Sequence, residues 1–296
     1  MSISRTDISF RADAGTAIGG WLFLPEGVGP HPAITMSAGF GGTIHHGLEP
    51  FAIAFAEAGF AVLLHDHRGF GSSDGLPRQD VDPWRQIADW RRAISYLEGR
   101  PEVDAKRIGL WGTSYAGGHA IMLGASDRRL KAVVAQVPTI SGYEQGLRRI
   151  PADQLAAVDE ALAQDDRNQL DGEPGYQALV GADPAVPAAY RSQDAIDFML
   201  RPVPEGVWEN TVTLRSSRLA RMYEPGAFVS RVSPTPMMFI VAREDGATPT
   251  DLALAAYQRA LEPKRLVLVP GVHYDIYIAQ RSAAIAAALE WFREHL

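Results

Sequence analysis

Gly112-Thr113-Ser114-Tyr115-Ala116-Gly117-Gly118 sets a serine between small residues, after an apolar stretch (Arg107 to Trp111) that reads as a strand and before a helical pattern from about Ala116. Small residues two positions before and two after a serine let the chain turn sharply enough to lift the hydroxyl clear of the sheet edge, where it can act as a nucleophile. The second small position here is Ala116 rather than glycine, which keeps the steric logic of the turn while departing from the literal G-x-S-x-G pattern. The plain alternative is a serine in a glycine-rich turn with no chemical role. A hydroxyl is a weak nucleophile and needs a base to take its proton. Of eight histidines, His31 precedes a proline at a strand start, His119 lies on the helix that Ser114 begins, and His295 is penultimate and expected to be frayed. His45, His46, His65 and His67 fall early in the chain. His273, in Pro270-Gly271-Val272-His273, follows the last expected strand on a loop able to reach Ser114, and is the candidate base.

The acid that would orient this histidine is sought at a strand end between the two. Glu144 lies too far past its strand. Arg243-Glu244-Asp245-Gly246 follows the strand Pro236 to Ala242, and Asp245 is preferred to Glu244 because Gly246 and Pro249 mark a loop around it and its shorter side chain needs less ordering. The order Ser, Asp, His differs from that of the chymotrypsin and subtilisin types. A developing oxyanion needs backbone donors. The amide of Tyr115 is one candidate and that of Phe40, in Ala38-Gly39-Phe40-Gly41-Gly42, the other. His65-Asp66-His67 is not expected to hold a metal, because alternate side chains of a strand point to opposite faces. The following Arg68-Gly69-Phe70-Gly71-Ser72-Ser73-Asp74-Gly75 lacks the ending of a phosphate-binding P-loop and is expected to shape the pocket floor.

These residues need a frame, and the rest of the chain supplies one. Strand patterns at Ile8 to Ala12, Gly20 to Leu24, Pro32 to Ser37, Phe60 to Leu64, Arg107 to Trp111, Leu130 to Val137, Pro236 to Ala242 and Arg265 to Val269 alternate, after the first three, with helical ones at Pro50 to Gly59, Asp82 to Glu98, Thr250 to Leu261 and Arg281 to His295. That alternation implies an α/β fold with a mostly parallel sheet covered on both faces. Residues 139–230 interrupt it. They hold 14 acidic and 8 basic residues, a net of −6 within a chain total of −7, and seven prolines. So long a segment is not one structureless loop. It reads as a largely helical cap, with helices at Pro151 to Gln164 and Ser216 to Met222, set into a core formed by residues 1–138 and 231–296.

The glycine loop Gly39-Phe40-Gly41-Gly42, the segment Asp66 to Gly75, the turn around Ser114, Glu244-Asp245 to Pro249 and Pro270 to His273 resemble the α/β-hydrolase superfamily in its usual order. Within it the chain is similar to dienelactone-hydrolase-like, acyl-peptidase-like and polyketide- or lactone-hydrolysing serine esterases, and Glu209 to Ser216 also looks like that subgroup. Dienelactone hydrolases proper use cysteine, and this chain has none. The resemblance implies an α/β-hydrolase fold, a twisted sheet flanked by helices with a cap, and cleavage of a small-molecule ester, lactone or thioester by a Ser114, His273, Asp245 triad without cofactor or metal. Acyl transfer and carbon–carbon hydrolysis use the same triad and stay open, as does a non-catalytic binding protein. The absence of cysteine, of a secretory start and of a long apolar run leads us to expect a cytoplasmic protein, with a homodimer left open. Net negative charge without a Lys/Arg cluster argues against nucleic acid or membrane as partner.

Overall fold

The computed structural model describes residues 2–296. Two antiparallel strands, β1 (Ile3–Arg11) and β2 (Ala17–Pro25), lead into the alternating part: β3 (His31–Ser37), α1 (Glu49–Glu57), β4 (Ala61–His65), α2 (Pro83–Glu98), β5 (Val103–Thr113), α3 (Tyr115–Ser126) and β6 (Leu130–Gln136). Residues 139–230 then carry α4 (Gly142–Arg149), α5 (Leu155–Asn168), β7 (Tyr176–Val180), β8 (Ala188–Tyr190), α6 (Gln193–Met199), β9 (Val212–Thr213) and α7 (Leu214–Arg221). The alternation closes with β10 (Met237–Ala242), α8 (Thr250–Arg259), β11 (Lys264–Val269) and α9 (Arg281–His295). One eight-stranded sheet runs in the order β1-β2-β4-β3-β5-β6-β10-β11. From β4 to β11 every pairing is parallel. This is the α/β-hydrolase fold.

Local sequence explains the elements that hold the site. All five residues of β4 are buried, as a parallel strand covered on both faces requires. In α2, Ile87, Trp90, Ala93, Ile94 and Leu97 form the inward face, and Asp82 caps the start by accepting from the amides of Trp84 and Arg85. The fully buried Trp90 donates its indole N–H to Thr35 Oγ1 at 2.9 Å, which fixes α2 on β3. Register brings the carboxyl ends of the central strands level, since Trp111 faces Met36 and Val134, while Ile240 faces Gln136 and Val267. The loops after β3, β5, β10 and β11 therefore emerge along one edge, where open parallel sheets place their ligands.

Residues 139–230 are less helical than their composition suggests. The helix expected from Pro151 starts at Leu155 and runs on to Asn168, and the one expected from Ser216 starts at Leu214, where Thr213 Oγ1 accepts the amide of Ser216. A three-stranded sheet, β8-β7-β9, lies between them. Its strands are two to five residues long and separated by turns, too short for a period-two pattern to show. The segment is tied to the core where α7 begins. Asp80 accepts from Thr213 Oγ1 at 2.7 Å and from Arg215 Nε at 2.7 Å, and Ser216 Oγ accepts the amide of Val81 at 2.8 Å. Among the described residues no helix is long and apolar enough to cross a membrane.

Asp80 is buried and its arginine partner mostly so, and breaking such a pair leaves a charge poorly solvated. Asp80→Ala is expected to lower unfolding stability by about 2 kcal/mol, less than a fully buried pair because Arg215 keeps some water. Urea denaturation checks this, and a midpoint equal to that of the wild type contradicts the anchoring role.

Candidate active site

Ser114 stands at the end of β5 with φ 56° and ψ −120°, a backbone conformation that costs a non-glycine residue roughly 1–3 kcal/mol and persists only where the surroundings enforce it. Main-chain bonds do so. Its amide donates to Gln136 O at 2.8 Å, and its carbonyl accepts from Gly117 and Thr139, each at 2.9 Å. Gly112 is required because a Cβ there would meet the carbonyl oxygen of Ala116 at 2.2 Å. Gly39 is required because a Cβ there would stand 2.8 Å from Ser114 Cβ. The loop after β3 thus lies directly against the serine.

His273 opens a short 3₁₀ turn after β11 and is 1% exposed. Its Nε2 lies 3.0 Å from Ser114 Oγ, and its Nδ1 lies 2.7 Å from Asp245 Oδ2. Asp245, after β10, is held by a turn of its own: Oδ1 accepts the amides of Ala247 at 2.9 Å and Thr248 at 2.7 Å, and Oδ2 accepts Thr248 Oγ1 at 2.9 Å. With Asp245 accepting throughout, Nδ1 is the nitrogen that donates to it, and Nε2 turns a lone pair toward the serine hydroxyl. Glu244, the neighbouring acid, is exposed. The structure therefore brings Ser114, His273 and Asp245 into one hydrogen-bonded chain. Phe40 and Tyr115 both border the same cavity as Ser114, and their rings meet edge to face at 5.3 Å. Among the described residues neither backbone amide has an acceptor.

That cavity has a volume of about 440 Å³, within the range of small-molecule sites. Core residues Phe40, Ser114, Tyr115 and Thr248 form its floor, and α4, α5, α7 and the small sheet form the walls, where Gly146, Ala157, Ala161 and Ala220 leave room. Tyr176 and Tyr190 border it, whereas Tyr223 is buried with His119 and Tyr143 is exposed. A second recess of about 30 Å³ shares Phe40 and Ser114 and adds His273, His46, Phe198 and Met199. Trp208 donates to Gly41 O at 2.8 Å and so steadies the glycine loop.

Several sequence expectations need correction or completion. The segment Arg68 to Gly75 borders neither cavity and so is not the pocket floor. It is a support, folded around the carboxylate of Asp66, which accepts from Ser72 N at 3.0 Å and from Ile44 N at 2.8 Å. His295 is not frayed, because its ring packs on Trp291 with centroids 4.1 Å apart. His119 is fully occupied by Tyr223 and Gln86. His67 directs Nε2 to Ala38 O at 3.1 Å, beside the glycine loop. Among the described residues no group of three or more His, Asp or Glu side chains converges as metal ligands. Sequence reasoning missed Thr248, whose signal was its place three residues after Asp245, where an aspartate side chain commonly receives backbone donors.

Burial pushes the Asp66 carboxyl up to about 6, against the lowering effect of its bonds from Ile44 and Ser72. The folded state then binds this proton more tightly than the unfolded chain, so the group's contribution to stability falls as pH rises from about 4 to about 6 and is level above that. Asp66→Asn removes the term. The stability of the wild type relative to the variant is expected to decline across that window in urea midpoints measured at pH 4, 5, 6 and 7, and a constant difference contradicts it.

A family model described as X-Pro dipeptidyl-peptidase (S15 family) matches residues 15–275. A polyketide transferase of a Penicillium species is 30% identical over 301 residues, covering 100% of this chain and 98% of that protein. A thiohydrolase of Aspergillus aculeatus is 27% identical, covering 88% of this chain and 83% of its own. The crystal structure of an α/β hydrolase from a Penicillium species superimposes with a TM-score of 0.85 at 29% identity, covering 99% of both chains.

Proposed function

We propose a mechanism for a chain that belongs to the X-Pro dipeptidyl-peptidase (S15) family of α/β-hydrolases: it cleaves a carboxylic ester, lactone or thioester through an acyl-Ser114 intermediate. The chain is a hydrolase of the α/β-hydrolase type; the triad, the oxyanion donors and the substrate class are our reading. The observation that carries it is the unbroken bond chain Ser114 Oγ, His273, Asp245 at 3.0 and 2.7 Å, set at the floor of the large cavity.

His273 Nε2 takes the hydroxyl proton as Oγ attacks the substrate carbonyl. Asp245 holds the ring in the required tautomer and stabilises the imidazolium that results. The carbonyl oxygen gains charge and is met by the amides of Phe40 and Tyr115, already fixed and short of acceptors. Collapse expels the alcohol or thiol, which takes its proton from His273. Water then enters and gives a proton to His273 as it attacks the acyl carbon, and collapse releases the acid while His273 returns that proton to Ser114 Oγ. Residues 139–230 act as the cap whose small side chains and tyrosines shape the acyl pocket. A relative called a thiohydrolase supports a thioester as substrate, and one called a polyketide transferase supports a polyketide acyl group. The second name also favours an alternative reading, in which an alcohol or amine replaces water in the last step.

A fluorophosphonate probe is expected to label the wild type and not Ser114→Ala, and kcat/KM for a short p-nitrophenyl ester is expected to fall at least about 10⁴-fold in Ser114→Ala and about 10⁴-fold in Asp245→Asn. Labelling of Ser114→Ala at the wild-type rate places the nucleophile elsewhere and ends this reading.

A further inference from the structure

The turn that carries Phe40 is closed by a bond from the amide of Gly42 to Gly39 O at 3.2 Å, with Phe40 and Gly41 at its two central positions. Gly41 stands at φ 68°, the left-handed region that such a turn asks of its third residue. In a trans peptide unit the C=O and the N–H point in opposite directions. Gly39 O and the Phe40 N–H belong to one unit, so a carbonyl held inside the turn by Gly42 sends the Phe40 N–H outward. Gly41 O and the Gly42 N–H belong to another unit, and its outer end, Gly41 O, accepts the indole N–H of Trp208 at 2.8 Å. The result is one directed chain. It runs from the Trp208 N–H to Gly41 O, from the Gly42 N–H to Gly39 O, and ends on the Phe40 N–H, which has no acceptor among the described residues. A Cβ on Gly39 would stand 2.8 Å from Ser114 Cβ, so the chain ends beside the serine. Bonds from His67 to Ala38 O and from Ile44 N to Asp66 tie the ends of the loop to the core, and Trp208 ties its apex to the insertion.

We propose that Trp208 is a positioning residue for the oxyanion, aiming the Phe40 amide through two peptide units. The inference rests on the acyl-Ser114 reading and on Phe40 as an oxyanion donor within it. The indole holds the unit between Gly41 and Gly42, that unit holds the one between Gly39 and Phe40, and the Phe40 N–H is set before charge develops on the substrate. Donors fixed in advance are the ones that stabilise an oxyanion, and each bond in such a chain polarises the next. The insertion therefore does more than wall the acyl pocket. Asn210, two residues beyond Trp208, bonds the amide and the carbonyl of Val180 at 3.0 and 2.9 Å, at the end of β7. Leu179 of the same strand packs on Gly41, where an added Cβ would stand 2.8 Å from its Cδ1. With β8, this strand gives Gln177, Ala188 and Tyr190 to the wall of the large cavity. The small sheet that borders the acyl pocket is thus also the element that seats Trp208 on the oxyanion loop.

The test removes the indole N–H and little else. Benzothienylalanine at position 208 keeps the bicyclic shape with sulfur in place of the N–H, and Trp208→Phe is the genetic counterpart. Acylation and deacylation both pass through an oxyanion and should slow together. In either variant kcat for a p-nitrophenyl ester is therefore expected to fall at least about tenfold with KM within about twofold of the wild type, where outright loss of a donor costs about 10²–10³. A trifluoromethyl ketone that adds to Ser114 Oγ carries the negative oxygen, and is expected to bind at least about tenfold more weakly to both variants. The matching trifluoromethyl alcohol, which cannot add, is expected to bind within about twofold of its wild-type affinity. A kcat equal to that of the wild type in the benzothienylalanine protein, a loss confined to KM, or equal weakening of ketone and alcohol overturns the positioning role and leaves the Ser114 reading standing. If the ketone binds the wild type no better than it binds Ser114→Ala, the acyl-Ser114 reading has failed and the positioning role with it.

Discussion

The backbone at Ser114 sits where a side chain is unwelcome, at φ 56°, and much of the neighbouring structure is arranged to keep it there. The carbonyl of Gln136 takes its amide, and the first turn of α3 and the chain after β6 take its carbonyl. Gly112 and Gly39 are bare because any Cβ would strike the turn. The strain has a geometric return. It points Oγ away from the sheet edge and leaves the amide of Tyr115 without an acceptor next to it, two features that an ordinary helix start would not provide together. A relaxed serine would withdraw its hydroxyl from His273, and the hydrogen-bonded chain to Asp245 would serve nothing.

Core and insertion divide the work. The sheet fixes the reactive groups through register, since the loops after β3, β5, β10 and β11 start level with one another. Residues 139–230 contribute most of the cavity wall and reach the core through the Asp80, Thr213, Arg215 and Ser216 cluster. The triad stands at strand ends, while much of the cavity wall belongs to a segment bonded to the core at several places, among them Trp208 to Gly41, Arg148 to Asp251 and His119 to Tyr223. Both cavities lie between core and insertion, a roomy one under α4, α5 and α7 and a tight one between the glycine loop, α6 and His273.

Ser114 and Asp245 were legible because they stand just past the apolar runs of β5 and β10, and His273 because it follows the last strand pattern and the serine in chain order, although β11 is only partly buried. The closeness of the Phe40 loop to Ser114 was legible from its glycines. Element ends moved by a few residues, as with β1, which starts at Ile3 rather than Ile8, since its solvent-facing alternation is weak. The sheet β8-β7-β9 was hidden by its brevity. The role of Asp66 was hidden for another reason: its partners Ile44 and Ser72 lie 22 and 6 residues away, and nothing in local pattern pairs them. His46 looked like one of two adjacent loop histidines. Only the fold shows that Thr43 occupies one nitrogen and that the residue borders a recess beside the serine.

Whether Ser114 carries the acyl group is the point on which the account stands. The direct measurement is acid quench during turnover of a slowly deacylated ester or thioester, followed by proteolysis and mass mapping. The account predicts an added acyl mass on the peptide containing Ser114, at the hydroxyl of that residue, and its absence in Ser114→Ala. Substrate consumed with no adduct at Ser114, or an adduct on another residue, would contradict it.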